Sequence, residues 1–320
     1  MVSIQSLRYL GKRLIFGVFT VWAVTALVFL LMHLAPGSIV DTVLGGGVIT
    51  DEMRQRIIEQ YHLDEPVYVQ YLLWAGDLLR GNLGQSYATG QPIAKLLADR
   101  WVITAQITSV SLVFATLLSI PTGILAGYKH GTLLDRVLTV IAILGVSVPV
   151  FVSGVLALLV FSYHLRLVPP SGAGVGVVDR LQRLVLPCLL LGGTIGALMF
   201  RMMRAGMRDV LEKDYIETSR AMGISTRKTV VKHAAKNALA PVLTVSALWI
   251  GFLIIYGMVV EYIFGMSGFG RLIINAVQQR DYPIVLVGTI VTAVVFILAN
   301  IVVDFLYTWV DPRVVVGDSE

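Results

Sequence analysis

The sequence predicts an all-α membrane protein with six transmembrane helices, and three observations carry that expectation. Its 320 residues are 56% hydrophobic and only 14% charged, against roughly a quarter charged in an ordinary soluble domain. Mean hydropathy is +0.80, and the apolar excess follows neither a heptad nor a Pro-Gly repeat, which excludes coiled coil, collagen and disorder. Six stretches free of Asp, Glu, Lys and Arg meet or approach the about 20 residues that carry a helix across a hydrocarbon core of about 30 Å. They are continuously apolar rather than alternating, so they are not barrel strands.

The first span is Leu14 to Leu34. It follows Arg8, Lys12 and Arg13, but it is about twice the length of a signal-peptide core and no A-x-A site follows, so residues 1–35 read as a retained tail and helix. Residues 36–101 form an extracytoplasmic loop too long to be a bare link. Thr50-Asp51-Glu52 opens one helix there, to about Tyr61, with acids favouring its dipole. A second begins at Pro66 and runs through Tyr71 and Trp74 to Arg80, where Gly81 stops it. Such helices lie along headgroups or receive a partner.

Residues 102–310 form the core. The second span, Val102 to Gly127, is polar at its outer end, with Thr104, Gln106, Thr108, Ser109 and Ser111. Such groups seek partners inside a bundle or line a wet translocation path; Asn300 on the sixth span is a further path candidate. The third span is Val137 to Tyr163. The fourth, Leu184 to Phe200, is the shortest, and its flanking Arg183 and Arg201 can snorkel. The fifth is Asn237 to Val260 and the sixth Tyr282 to Val303. Pro121, Pro149, Pro187 and Pro241 permit kinks, while Gly192 and Gly196 permit close helix approach. Cys188, the single cysteine, reads as a small packing residue. Asp304 at the end of the sixth span reads as a structural tie more readily than as a functional group.

Basic residues give the orientation. With the N-terminus inside, cytoplasmic segments hold fifteen of the 25 Lys and Arg, the short outer connections five. Both termini, including the tail 311–320, are therefore expected in the cytoplasm. The same distribution argues against nucleic acid, whose phosphates need a wettable basic face. A Walker loop is missing, since Ser6 stands where Gly11-Lys12 would need its upstream glycine, and neither H-E-x-x-H nor G-x-S-x-G occurs. No catalytic or metal site is expected in this chain.

The loop 204–236 is patterned. Leu211, Tyr215, Thr218 and Met222 follow 4-3-4 spacing and share one helical face; Lys213, Glu217 and Arg220 share another. Gly223 ends that helix, and Ser225 can cap a second one carrying Val230, Val231 and Ala234. Two short helices at a bend suit docking, or lie on the surface as a charge-solvated loop.

Glu217-Thr218-Ser219-Arg220-Ala221-Met222-Gly223, followed by His233, Asn237 and Pro241, resembles the E-A-A-x-x-x-G loop of ABC-importer permeases, with Thr218 and Ser219 in place of two alanines. The likeness covers most of the chain and narrows to the B-type subunit of the dipeptide, oligopeptide and nickel group. Pro36-Gly37, Gly81-Asn82-Leu83-Gly84 with Ser86 and Pro92, Glu261-Tyr262-Ile263-Phe264 with Gly268 and Gly270, Arg280-Asp281-Tyr282-Pro283, Asp304, Tyr307 and Asp311-Pro312-Arg313 carry it. Asn82 and Ser38 depart from the aspartates usual in the group.

The resemblance implies a type I ABC importer permease fold, moving peptides or a related small solute by alternating access. It implies a second homologous permease subunit, two ATP-binding subunits that hold ATP and Mg, and an extracytoplasmic solute-binding protein. Tyr215, Glu217, Ala221, Met222, Gly223, His233 and Asn237 would couple to the ATPase. Glu261, Phe264, Gly268, Arg280 and Asp281 would form an outer gate or the binding protein's dock. An ATP-independent channel or secondary carrier is the alternative.

Overall fold

The computed structural model describes residues 4–34, 50–170, 172 and 174–310. Pro36, Gly37, Ser38 and Asp311-Pro312-Arg313 lie outside them. The described residues are nearly all helical and divide between two compact units, residues 1–102 with Arg271–Ile297, and Ile103–Gly270 with 298–320.

In the first unit, α1 (Ile4–Leu34) is followed by α2 (Asp51–Tyr61) and α3 (Val67–Leu79), within a residue of the helices expected in the outer loop. Pro66 stands at the N-cap of α3, and Gly81 adopts φ +82°, which suits glycine at a helix stop. Helix α3 leans on α1: the Thr25 hydroxyl and the Tyr71 phenol are 2.9 Å apart, and the Phe29 and Tyr71 rings meet edge to face.

Helix α4 (Ile93–Tyr128) begins in the first unit and continues into the second. It starts nine residues before the expected span. The third span breaks in two, α5 (Leu133–Ser147) and α6 (Val150–Ala157), the latter running on as a π-helical segment, Leu158–His164. The two halves are bent by 104°. Pro149 causes the corner: the residue before a proline is driven out of the helical region, and Val148 is extended at φ −85°, ψ 125°.

Helix α7 (Val177–Leu211) is 35 residues long, twice the expected fourth span, because it carries its flanking arginines within one helix. It leads to α8 (Asp214–Ala221), a short turn Thr226–Lys228, a π segment Thr229–Ala234 and α9 (Ala235–Ile263). Then follow α10 (Phe269–Gln279) and α11 (Tyr282–Val310), on which Asp304 and Tyr307 fall.

The second unit packs around α7, whose Leu191, Ile195, Met203 and Met207 are almost fully buried. Its seam with α4 is set by glycines from both sides. A Cβ at Gly192 would stand 2.6 Å from the Ser111 carbonyl oxygen, one at Gly123 2.7 Å from Met203 Cβ, and one at Gly127 2.5 Å from Met207 Cβ. Gly196 faces Ala115 at 3.4 Å. The G-x-x-x-G pair of the fourth span is thus a packing device. Among the described residues four helices are long and apolar enough to span a membrane, or five if the α5–α6 pair counts as one.

Gly192 and its neighbour Gly193 make a controlled pair, since a Cβ at Gly193 meets nothing within 4 Å. Gly192→Ala should destabilise the detergent-solubilised protein by about 1–3 kcal/mol through overpacking. Gly193→Ala should be neutral, or stabilising by up to about 1 kcal/mol through helix propensity. Paired thermal-unfolding curves check both.

Candidate functional site

The loop that sequence reasoning singled out is built as an elbow. Ile216, fully buried, and Ser219 turn α8 inward, while Tyr215 is 45% and Met222 74% exposed. The 4-3-4 face is therefore the outward one, apart from half-buried Leu211. Leu211 belongs to the preceding helix, so the pattern straddles a break. Glu217 and Ala221 are also exposed and lie one turn apart.

Gly223 ends α8 at φ +76°, with the Ile224 N–H donating to the Ser219 carbonyl at 3.2 Å. This is the 6→1 closure of a Schellman cap, and it places glycine where an L side chain would be strained. Ser225 occupies the next N-cap position but its hydroxyl makes no capping bond; its carbonyl accepts from the Thr229 N–H at 3.0 Å. Asn237 closes the elbow. Its Nδ2 donates to the Tyr215 phenol oxygen at 3.1 Å and to the His233 carbonyl at 3.0 Å. Three residues predicted separately are thus joined in one clip.

Sequence reasoning missed the tie beside this elbow. Asp135, 2% exposed, accepts from Arg204 Nε at 2.5 Å and Nη2 at 2.9 Å, and from the Gly131 N–H at 3.0 Å, with His130 Nδ1 also 3.0 Å away. The pair binds the α4–α5 turn to α7 two turns before the elbow. An acid in the first turn of an apolar helix was the available signal; its partner, 69 positions away, had none.

Two further carboxylates are buried. Glu261 is fully buried and accepts from the Thr104 hydroxyl at 2.5 Å, while that oxygen accepts from the Phe269 N–H at 2.9 Å. A Cβ at Gly268 would collide with the Glu261 carboxylate, so only glycine fits. Phe264 is buried in the same turn, its carbonyl accepting from the Gly172 N–H. Thr104 was a candidate for the path and Glu261, Phe264 and Gly268 for the outer gate; the fold gathers them at one tie. In the other unit, Asp281 is 1% exposed and accepts from the Ser86 hydroxyl and the Tyr87 and Ala88 N–H groups, next to Arg280 at φ +59°.

The remaining path candidates are dispersed. Gln106 is exposed, Thr108 half-buried, and Ser111 buried beneath Gly192; Asn300 is half-buried on α11. Among the described residues no three His, Cys, Asp or Glu side chains gather where they could hold a metal ion.

Apolar helices long enough to span a membrane, with a helical elbow between two of them, define a membrane-embedded helical protein. The family described as binding-protein-dependent transport system inner membrane component matches residues 119–316. The glutathione transport system permease protein GsiC of Escherichia coli O6:H1 is 36% identical over 308 residues, covering 96% of this chain and 99% of that one. A putative peptide permease protein of Brucella suis biovar 1 is also 36% identical, over 315 residues and the same shares. Among solved structures, the inward-facing MetNI methionine ABC transporter matches with TM-score 0.56 at 19% identity, over 69% of this chain and 99% of that one, which bears on the fold alone. The chain belongs to the binding-protein-dependent transport system inner membrane component family, as a permease subunit of an ABC importer in the cytoplasmic membrane. That membership sets aside the ATP-independent channel or carrier.

The Thr104–Glu261 tie can be measured. Thr104→Val removes the hydroxyl donor from a buried carboxylate and should cost about 1–3 kcal/mol, seen as a lower unfolding midpoint and lower yield. Thr104→Ser keeps the donor and should recover most of the loss.

Proposed function

We propose that this chain is one of two homologous permease subunits that import peptides or a related small solute. The named activities of the two relatives, glutathione transport and a putative peptide permease, support that substrate class. Six spans, α1, α4, the α5–α6 pair, α7, α9 and α11, would carry both termini to the cytoplasm, as the basic residues favour. Two ATP-binding subunits, holding ATP and Mg, would dock at the elbow. An extracytoplasmic binding protein would dock on the opposite side of the membrane.

The observation that carries this reading is the elbow itself. Ile216 anchors α8 from within, while Tyr215, Met222 and Glu217 face outward. An exposed methionine and tyrosine beside a carboxylate, on a helix rooted in the bundle, suit a partner's groove. The Tyr215–Asn237 clip links that helix to the first turn of α9, so displacement of α8 reaches a spanning helix directly. ATP-driven movement would tip the bundle between inward- and outward-open states through differential binding of the ATPases to each.

Gly223→Val should leave insertion intact but abolish substrate-stimulated ATP hydrolysis in the reconstituted complex, since valine is strained at φ +76°. Met222→Glu should weaken ATPase association with the fold unchanged. Undiminished stimulation and assembly in both variants would remove the coupling role; peptide-binding assays on the associated binding protein test the substrate class independently.

A further inference from the structure

His33 joins α1 to α3 through a run of three hydrogen bonds, all within the first compact unit. Its Nδ1 lies 2.8 Å from the Phe29 carbonyl oxygen, one turn back on α1, and its Nε2 lies 3.1 Å from Gln70 Oε1 on α3. The Gln70 amide is oriented in turn, because its Nε2 donates to the Glu65 carbonyl at 2.8 Å. The imidazole stacks on the Phe29 ring with centroids 4.5 Å apart, which fixes its plane.

Both ends of this run are backbone carbonyl oxygens, which only accept, and a neutral imidazole carries a single N–H. If Nδ1 donates to Phe29, the bare Nε2 faces the Gln70 oxygen, lone pair against lone pair. If Nε2 donates to Gln70, the bare Nδ1 faces the Phe29 carbonyl. Turning the amide over gives Nε2 a donor but sets the Gln70 oxygen against the Glu65 oxygen. Each neutral arrangement therefore leaves one of the three links unmade. An imidazolium, with a donor on both nitrogens, makes all three.

The surroundings suit that form. His33 is half-buried in the last turn of α1, where a cation meets the negative end of the helix dipole. Tyr87 and Tyr282 are the titratable groups that share with it a small pocket of about 70 Å³, and among the described residues no Asp, Glu, Lys or Arg lines that pocket. Glu65 reaches the run through its backbone carbonyl, and His62, exposed, lines the adjoining pocket. The proton on the ring is thus answered by carbonyl oxygens, and it is the imidazole whose proton count changes between about pH 5 and 8.

We propose that His33 is a proton-dependent latch between α1 and α3. Acidification completes the Phe29–His33–Gln70–Glu65 run and tightens the seat of α3 on α1; loss of the proton as pH rises breaks one link and loosens it. The latch stands apart from the elbow. Only the compartment whose acidity it answers to depends on the orientation proposed above.

Hydrogen–deuterium exchange of the assembled importer in detergent, where both faces meet the same buffer, tests the latch whatever the orientation. Protection of the α3 amides, corrected for the intrinsic exchange rate at each pH, reads how often that helix leaves its seat. In the wild type it should fall about tenfold between about pH 5.5 and about pH 8, the loss of one hydrogen bond to a charged group. His33→Gln should abolish this pH dependence, and Gln70→Leu should do the same from the other side. Gln70→Glu, which offers the ring a carboxylate, should carry the protection to higher pH, while His62→Gln should change nothing. Equal wild-type protection at both pH values overturns the inference, as does a dependence that survives His33→Gln. Nitrogen NMR of the five histidines, with His33→Gln assigning the signal, reads the proton directly: a His33 ring with one bare nitrogen while α3 stays fully protected also overturns it.

Discussion

The close approach of α4 to α7 is the constraint on which the second unit depends. Two glycines on each helix leave no room for a Cβ or bring backbone near van der Waals contact with the opposite side. In a bilayer, lipid tails are as apolar as leucine, so helices gain little by hiding from them and associate through shape and hydrogen bonds. A glycine seam supplies the shape. It fixes the height of α4 relative to α7, and with that height the Asp135–Arg204 pair and the starting point of the elbow are set.

Hydrogen-bonded ties complete what the seam begins. Buried carboxylates in low dielectric are costly unless provided with donors, and each of the three here has donors drawn from another part of its unit. Glu261 holds the turn between α9 and α10 to α4, Asp281 holds the loop at Ser86, and Asp135 holds the α4–α5 turn to α7. None of these acids is arranged as a catalytic pair. They act as rivets where loops meet helices, leaving the exposed chemistry to the elbow.

Much of this was legible in the sequence, for stated reasons. Hydropathy marked the four long apolar helices, and the bent pair as a fifth, because the bilayer sets span length, and capping chemistry gave α2 and α3 because Asp51-Glu52, Pro66 and Gly81 act locally. Gly223 announced the elbow for the same reason. What escaped was long-range or depended on phase. Thr104 and Glu261 are 157 positions apart, and nothing near either names the other. The 4-3-4 count grouped Tyr215, Thr218 and Met222 correctly on one face but ran through the break between Leu211 and Asp214, which a spacing rule alone does not register. Pro149 was visible as a kink, but the size of its corner depends on packing that a single sequence does not encode.

That corner has a consequence for the membrane itself. Helix α5 has 15 residues and so rises about 22 Å at about 1.5 Å per residue, some 8 Å short of a core of about 30 Å. The segment after it leaves at 104° and adds no height along the same axis. In the proposed six-span arrangement that shortfall would be met beside α5 by local thinning of the bilayer or snorkelling of flanking side chains, at a cost of fractions of a kcal/mol for each ångström of mismatch. In that arrangement the flank beside α5 would be where longer-chain lipids raise the cost of insertion first.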